Sequence, residues 1–269
     1  QGKIEMKKVP EAGFEIVGLW INGLQRSISL KNLMFPIKLL LSLIKSFQLI
    51  RSFRPDVVVG VGGYASGPLL YMATLNKIPT LIQEQNSHAG LTNKWLSKSV
   101  STICVAYEGM DKFFPKDKIV LAGNPVRKDI FQDSTQSKEA YAFFKLNPNK
   151  KTLLVIGGSL GAKTVNESIL SGLEQLWAAD TQLIWQTGGF YHTRIMSEMK
   201  TPWDERLRMY DFIKEMQYAY TVADVVVSRA GALSISELML SAKPSILIPS
   251  PNVAEDHQKL NAQKRILGR

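Results

Sequence analysis

Leu153-Leu154-Val155-Ile156-Gly157-Gly158-Ser159-Leu160-Gly161-Ala162 runs an apolar segment of strand length into a glycine-rich turn and then into a helical pattern. Glycine lets the backbone approach an anion closely, and the first turn of a helix presents unpaired N–H groups with partial positive charge. The same junction recurs at Val57-Val58-Val59-Gly60-Val61-Gly62-Gly63-Tyr64-Ala65-Ser66-Gly67. A third strand, Val225-Val226-Val227, enters Ser228-Arg229-Ala230-Gly231-Ala232-Leu233-Ser234-Ile235-Ser236-Glu237. One such turn is weak evidence; three of them point to phosphorylated ligands held beyond the carboxyl ends of parallel strands.

Working outward, apolar runs at 57–61, 79–83, 100–106, 118–121, 152–156, 182–186, 206–210, 224–227 and 244–248 read as strands. Helical patterns fall at 30–53, 66–76, 90–98, 137–145, 161–177, 190–199, 232–242 and 256–267. This alternation predicts an α/β protein of parallel sheets covered on both faces by helices. The first residues read as neither strand nor helix start. The polar stretch from Lys128 to Lys151 separates two glycine-turn units, which places a domain boundary near Arg127: a first domain over 1–127, a second over 128–269.

With 269 residues and 45% hydrophobic content, the chain can build real cores in one large or two medium domains. A single cysteine, Cys104, excludes an intrachain disulfide framework and suits a reducing compartment; its apolar neighbours predict a buried strand position. His88, His192 and His257 have no paired metal-ligand spacing and no D-x-D pair occurs, so no metal site is expected. The chain begins at Gln1 with no signal-peptide pattern, and reads as a piece of a longer protein.

The net charge of +10 is unevenly placed: residues 1–127 carry 16 Lys and Arg against 8 Asp and Glu. No acidic residue lies between Glu15 and Asp56. Within that stretch Leu33, Ile37, Leu40, Ile44 and Phe47 recur at helical spacing, with Lys31, Lys38 and Lys45 every seven residues. The lysines interrupt the apolar run well short of the roughly 20 residues that span a bilayer. A basic helix over 30–53 is therefore expected to pack on the sheet and to offer a patch to an anionic membrane surface. No recognition helix or aromatic-interleaved basic motif marks a nucleic-acid partner.

Gly60-Val61-Gly62-Gly63-Tyr64-Ala65 also fits G-x-G-x-x-G/A, with Glu84 about 20 residues on where a nicotinamide enzyme holds its ribose. An NAD(P)-dependent oxidoreductase is thus an alternative. Against it stand Pro68 close behind the turn, the polar run Gln83-Glu84-Gln85-Asn86-Ser87-His88-Ala89-Gly90, and a surplus phosphate-type turn in the second half.

The ordered series GVGGYASGP (60–68), EQNSHAGLTNKWL (84–96), GNPVR (123–127), GGSLGA (157–162) and ADVVVSRAGALSISE (223–237) resembles the MurG family. These are the UDP-N-acetylglucosamine:N-acetylmuramyl-(pentapeptide) pyrophosphoryl-undecaprenol N-acetylglucosamine transferases of peptidoglycan synthesis. The resemblance implies a GT-B fold of two Rossmann-like domains facing across a cleft. It also implies an inverting, metal-independent transfer with no cofactor, and peripheral association with the cytoplasmic face of the bacterial inner membrane. Its substrates would be UDP-N-acetylglucosamine and undecaprenyl-pyrophosphoryl-MurNAc-pentapeptide. A non-catalytic nucleotide-sugar binder is the remaining alternative.

By this resemblance, Glu237 would accept hydrogen bonds from the ribose. Ser159 and the helix start Ala232-Leu233-Ser234-Ile235-Ser236 would hold the diphosphate, Ile213 would meet the uracil through its backbone, Arg127 would contact the nucleotide, and Gln258 the sugar. Gly62, Gly63 and Tyr64 would face the acceptor's pyrophosphate, with Glu84, Asn86 and Asn93 in the cleft, Asn86 on the donor side. Glu84 is the cleft-placed carboxylate available as a base, unless it is a packed strand-end acid. Plainer readings stand beside these: Glu237 as a first-turn carboxylate on the helix dipole, Ser159 as a turn residue, Arg127 as a surface ion pair, Tyr64 stacked on its turn, His88 as a loop residue.

The resemblance has departures. The family's opening glycine turn, with its histidine, is not in this chain, nor are its last strands and closing helix, and His257 stands where paired glutamines are usual. The 269 residues alone are expected to transfer sugar poorly.

Overall fold

The computed structural model describes residues 5–23, 33–130, 137–199, 204–251, 253 and 256–267. The chain divides into two compact units, 1–123 and 124–269. The division falls before Asn124 rather than after Arg127, because both residues bond within the second unit: Asn124 Nδ2 donates to Ser236 Oγ at 3.0 Å and Arg127 to the Lys214 carbonyl at 3.5 Å.

In the first unit, β1 (Val58–Gly60), β2 (Thr80–Glu84), β3 (Thr102–Val105) and β4 (Ile119–Leu121) form a parallel sheet in that order. Its helices among the described residues are α1 (Glu5–Glu11), α2 (Phe35–Phe53), α3 (Ser66–Leu75) and α4 (Leu91–Leu96). The helix α1 corrects the reading of the first residues; it buries nothing, which is why no apolar periodicity announces it. Ile50, Val58, Leu70, Ile82, Leu96, Ile103 and Val105 form the core. Strand alternation in β3 turns Ile103 and Val105 inward and leaves Cys104 partly exposed, not buried as expected.

The segment 30–32 of the expected basic helix lies outside the described residues; α2 itself starts with Pro36 in its first turn, where a missing N–H costs nothing. Its orientation is a second correction. Ser42, Ser46 and Ile50 are its buried residues, while Ile37, Leu40, Leu41 and Ile44 are exposed. Small serines admit a close approach to α3, and the apolar stripe expected to pack inward faces solvent instead.

In the second unit, β5 (Thr152–Ile156), β6 (Gln182–Gln186), β7 (Leu207–Tyr210), β8 (Val225–Arg229) and β9 (Ser245–Ile248) form a parallel sheet in the order β7-β6-β5-β8-β9. Its α-helices among the described residues are α5 (Ser137–Phe144), α6 (Lys163–Ser171), α7 (Leu173–Ala178), α8 (His192–Glu198), α9 (Met216–Val222), α10 (Ala232–Leu240) and α11 (His257–Leu267). The helix expected over 161–177 is split at Gly172 into α6 and α7. Alternation sorts the core into two layers: Leu154, Ile156, Ile184 and Val226 pack under α5 and α9, whereas Val155, Leu183, Trp185 and Val227 pack with Ala162, Val165 and Ile195. Helix α9 was not expected; Met216, Ala219 and Tyr220, at helical spacing, are its buried face.

Candidate functional site

Each unit carries one candidate site at the carboxyl edge of its sheet. In the first, the turn after β1 uses two consecutive glycines in the left-handed region, Gly62 (φ 89°) and Gly63 (φ 76°). A side chain on Gly63 would meet no atom within contact distance, so its backbone borders open space. Beside it lies a cavity of about 320 Å³ lined by Gly62, Gly63, Gln83, Glu84, Asn86 and Asn93, together with Val61, Gln85 and Gly90–Thr92. Five of the six positions expected in or beside the acceptor site from this half, counting Asn86 and the candidate base Glu84, thus share one cavity's lining, while Tyr64 is absent from it and would crowd any side chain placed on Gly23.

Glu84 ends β2 and is 4% exposed. Its Oε1 accepts from the Asn86 N–H (3.1 Å) and Asn86 Nδ2 (3.4 Å), and its Oε2 from the Gly90 N–H and Asn93 Nδ2, both at 2.9 Å. Four donors on one carboxylate suit an anchor for loop 85–93, the packed strand-end reading of Glu84, and leave no lone pair turned to a ribose. This removes the ribose contact on which the oxidoreductase alternative depends. Asn93, 2% exposed, donates through Nδ2 to Gln83 O and Glu84, and its Oδ1 has no partner among the described residues. His88 is half-buried, its Nε2 3.2 Å from Lys94 Nζ and its ring edge-on to Phe113.

In the second unit the strand order reverses at the β5–β8 pair, where Ile156 sits opposite Ser228. Both glycine turns leave the sheet there, at the switch point where doubly wound folds bind ligands. Helix α6 begins after Ala162 and α10 after Gly231, neither with a side-chain cap. The first bond of α10 runs from the Ile235 N–H to the Gly231 carbonyl at 2.9 Å, so the N–H groups of Ala232, Leu233 and Ser234 precede any intrahelical acceptor. At the other turn Ser159 is exposed, but the Gly157 and Gly161 amides are taken by Gln186 O and Gly158 O.

Several expected donor contacts change character. Ile235 is buried among Ala230 and Ala262 with its N–H already used. The Ser236 hydroxyl donates to Ala232 O and accepts from Asn124, which leaves its side chain committed to the fold. The Ile213 N–H donates to Gln186 Oε1 at 3.0 Å, so its amide is engaged by a side chain. Gln258 Oε1 accepts from the Ser250 N–H at 2.8 Å and ties down that loop.

Glu237 lies in the second turn of α10, not the first. Its Oε2 accepts from the Tyr220 hydroxyl at 2.9 Å. Burial pushes the Glu237 carboxyl above the usual carboxylate range, against the pull of the Tyr220 hydrogen bond and of Arg127, with Asp129 adding to the rise. Arg127 is exposed and 3.5 Å from Asp129, a contact of little energetic weight that leaves the guanidinium available beside Glu237. Asn124 and Tyr220 were not singled out in the sequence; the turn signal Asn124-Pro125 and the 216/219/220 spacing were the clues available.

Two parallel Rossmann-like sheets, with uncapped helix starts and the half-buried Glu237 carboxylate near the switch point of the second, are the architecture of a GT-B glycosyltransferase. Residues 1–105 match the glycosyltransferase family 28 N-terminal domain and residues 152–265 the family 28 C-terminal domain. The chain is 56% identical over 262 residues to the UDP-N-acetylglucosamine--N-acetylmuramyl-(pentapeptide) pyrophosphoryl-undecaprenol N-acetylglucosamine transferase of Cytophaga hutchinsonii, covering 97% of this chain and 70% of that protein. The Parabacteroides distasonis transferase of the same name is 54% identical, with 97% and 71% covered. Among solved structures, Acinetobacter baumannii MurG aligns with a TM-score of 0.68 and 27% identity over 97% of this chain and 71% of that one. The glycosyltransferase SnogD from Streptomyces nogalater shares the fold, with a TM-score of 0.62 and 14% identity over 96% and 75%. This chain belongs to glycosyltransferase family 28, in its MurG branch, and neither the oxidoreductase nor the non-catalytic alternative is favoured.

Proposed function

We propose that this protein transfers N-acetylglucosamine from UDP-N-acetylglucosamine to undecaprenyl-pyrophosphoryl-MurNAc-pentapeptide, with inversion at the anomeric carbon. The observation that carries the donor half is the uncapped start of α10 beside Glu237. The N–H groups of Ala232, Leu233 and Ser234 would take the diphosphate and stabilise the UDP dianion as it departs, aided by the start of α6. Glu237 would accept from the ribose hydroxyls through Oε1, and Arg127 would add positive charge beside it. Ser159 and the Ile213 carbonyl complete the donor contacts in this reading, and Gln258 reaches the sugar by its Nε2.

On the acceptor side, the Gly62–Gly63 backbone would face the lipid pyrophosphate. The orphan Asn93 Oδ1 needs a donor, which a sugar hydroxyl or peptide N–H supplies. Glu84 holds this loop, and Asn86 with it, in shape. Among the described residues no helix is long and apolar enough to cross a membrane, and no group of three His, Cys, Asp or Glu is arranged to hold a metal ion. The outward apolar face of α2, flanked by Lys45 and Arg51, would instead rest on the anionic cytoplasmic face of the inner membrane as a peripheral contact.

The test is a transfer assay with radiolabelled UDP-N-acetylglucosamine and lipid-linked acceptor, run on the protein as the cell makes it. Label in the disaccharide-lipid product is expected. No turnover, with UDP bound, would leave only a nucleotide-sugar binder, and hydrolysis with no label in the lipid would overturn the acceptor assignment.

A further inference from the structure

We propose that Tyr220 is a positioning residue for nucleotide recognition: its hydroxyl fixes one oxygen of Glu237 so that the other is presented to the ribose. The inference rests on the reading of Glu237 given above and extends it to a residue that touches no ligand.

Tyr220 is 1% exposed, its ring packed in the α5/α9 layer of the core, and its hydroxyl emerges from that layer only to meet Glu237 Oε2 at 2.9 Å. The direction of the bond is unambiguous. A carboxylate can only accept, and burial together with the nearby carboxylate pushes the phenol far above its usual value, so the proton stays on Tyr220. Oε1 of Glu237 has no intramolecular partner among the described residues. A half-buried Glu on a helix surface has three rotatable bonds, and binding a diol with it costs the entropy of freezing them. A pre-formed bond from a rigid core hydroxyl removes most of that cost before the ligand arrives. The charged groups that act on the pair are Arg127, which favours the ionised carboxylate, and Asp129, which opposes it. The tyrosine bond therefore also helps keep Glu237 an acceptor at neutral pH.

Tyr220→Phe keeps the ring and removes only the hydroxyl. Calorimetry of the intact chain with UDP and with 2′-deoxy-UDP, from pH 5 to 8, separates positioning from packing. The expected result is a UDP affinity about three- to tenfold weaker, as for one hydrogen bond, with 2′-deoxy-UDP changed less than about twofold on the same scale. The pH at which UDP affinity reaches its plateau should also move upward. Equal losses for both nucleotides, or unchanged UDP affinity, would overturn the proposal. A thermal midpoint within a few degrees of the parent certifies the fold. Glu237→Ala isolates the underlying reading. If it leaves the UDP to 2′-deoxy-UDP ratio intact, Glu237 does not hold the ribose. If it collapses the ratio and Tyr220→Phe does not, only the positioning role is lost.

Discussion

Gly161 and Gly188 pack backbone to backbone: a β-carbon on Gly188 would overlap the nitrogen and α-carbon of Gly161, and one on Gly161 would overlap the Thr187 carbonyl. Both residues sit at φ 82°. This contact presses the loop after β5 against the loop after β6 and so sets the height of the Ser159 turn over the sheet. Gly188→Ala is expected to destabilise the second unit by about 3 kcal/mol or more, combining left-handed strain with overlap. Gly158→Ala, at φ 85° but with nothing within 4 Å, should cost only about 1 kcal/mol. Urea denaturation of the two variants checks the contrast.

Glu84→Gln keeps the shape of the strut but turns an NH2 group toward donors. We expect about 2 to 3 kcal/mol lost from the first unit, from broken or opposed hydrogen bonds, and a raised acceptor KM with most of kcat retained. A collapse of kcat with unchanged stability would instead make Glu84 the base.

Ser236→Ala removes the hydroxyl that links Asn124 to α10. A stability loss of about 1 kcal/mol with UDP affinity kept within about twofold is expected. A much larger loss of UDP affinity would return Ser236 to the ligand contacts.

Glu237 has a folded pKa raised chiefly by burial. Its contribution to stability is therefore complete below the ordinary carboxylate value and is lost as pH rises through the raised one. Glu237→Gln should match the parent in thermal midpoint at acid pH and exceed it at neutral pH, while binding UDP more weakly. Parallel melting curves across pH 4 to 8 would contradict this.

Lys38→Glu with Lys45→Glu reverses two charges on α2. At roughly 1 kcal/mol per basic residue near an anionic surface, binding to phosphatidylglycerol vesicles should fall at least about tenfold, and less at high salt. Unchanged co-sedimentation would remove α2 from the membrane contact.

The strands were legible because a buried parallel strand leaves a continuous apolar run: 152–156 and 182–186 are read from sequence with the bounds they have in the fold. The face of α2 was not. Periodicity at Leu33, Ile37, Leu40 and Ile44 reports an apolar stripe but not which side it turns, and the close packing of α3 on Ser42 and Ser46 is a tertiary fact. The glycine turns and helix starts of the site were visible as motifs. Their satisfaction was not: which amide is spent on Gln186 or Gly158, and that Glu84 meets four donors, depends on atoms far apart in sequence. Tyr220 was hidden for the same reason, being 17 residues from the carboxylate it holds.

A helix that turns serine toward a neighbouring helix and leucine toward water carries a colloidal liability. Apolar area of this kind drives molecules to associate through their outer surfaces when nothing else covers it. Handling of the protein in dilute buffer should therefore depend on mild detergent or glycerol, and light scattering should fall when Leu40 and Ile44 are replaced by Gln, with the interior of the first unit untouched.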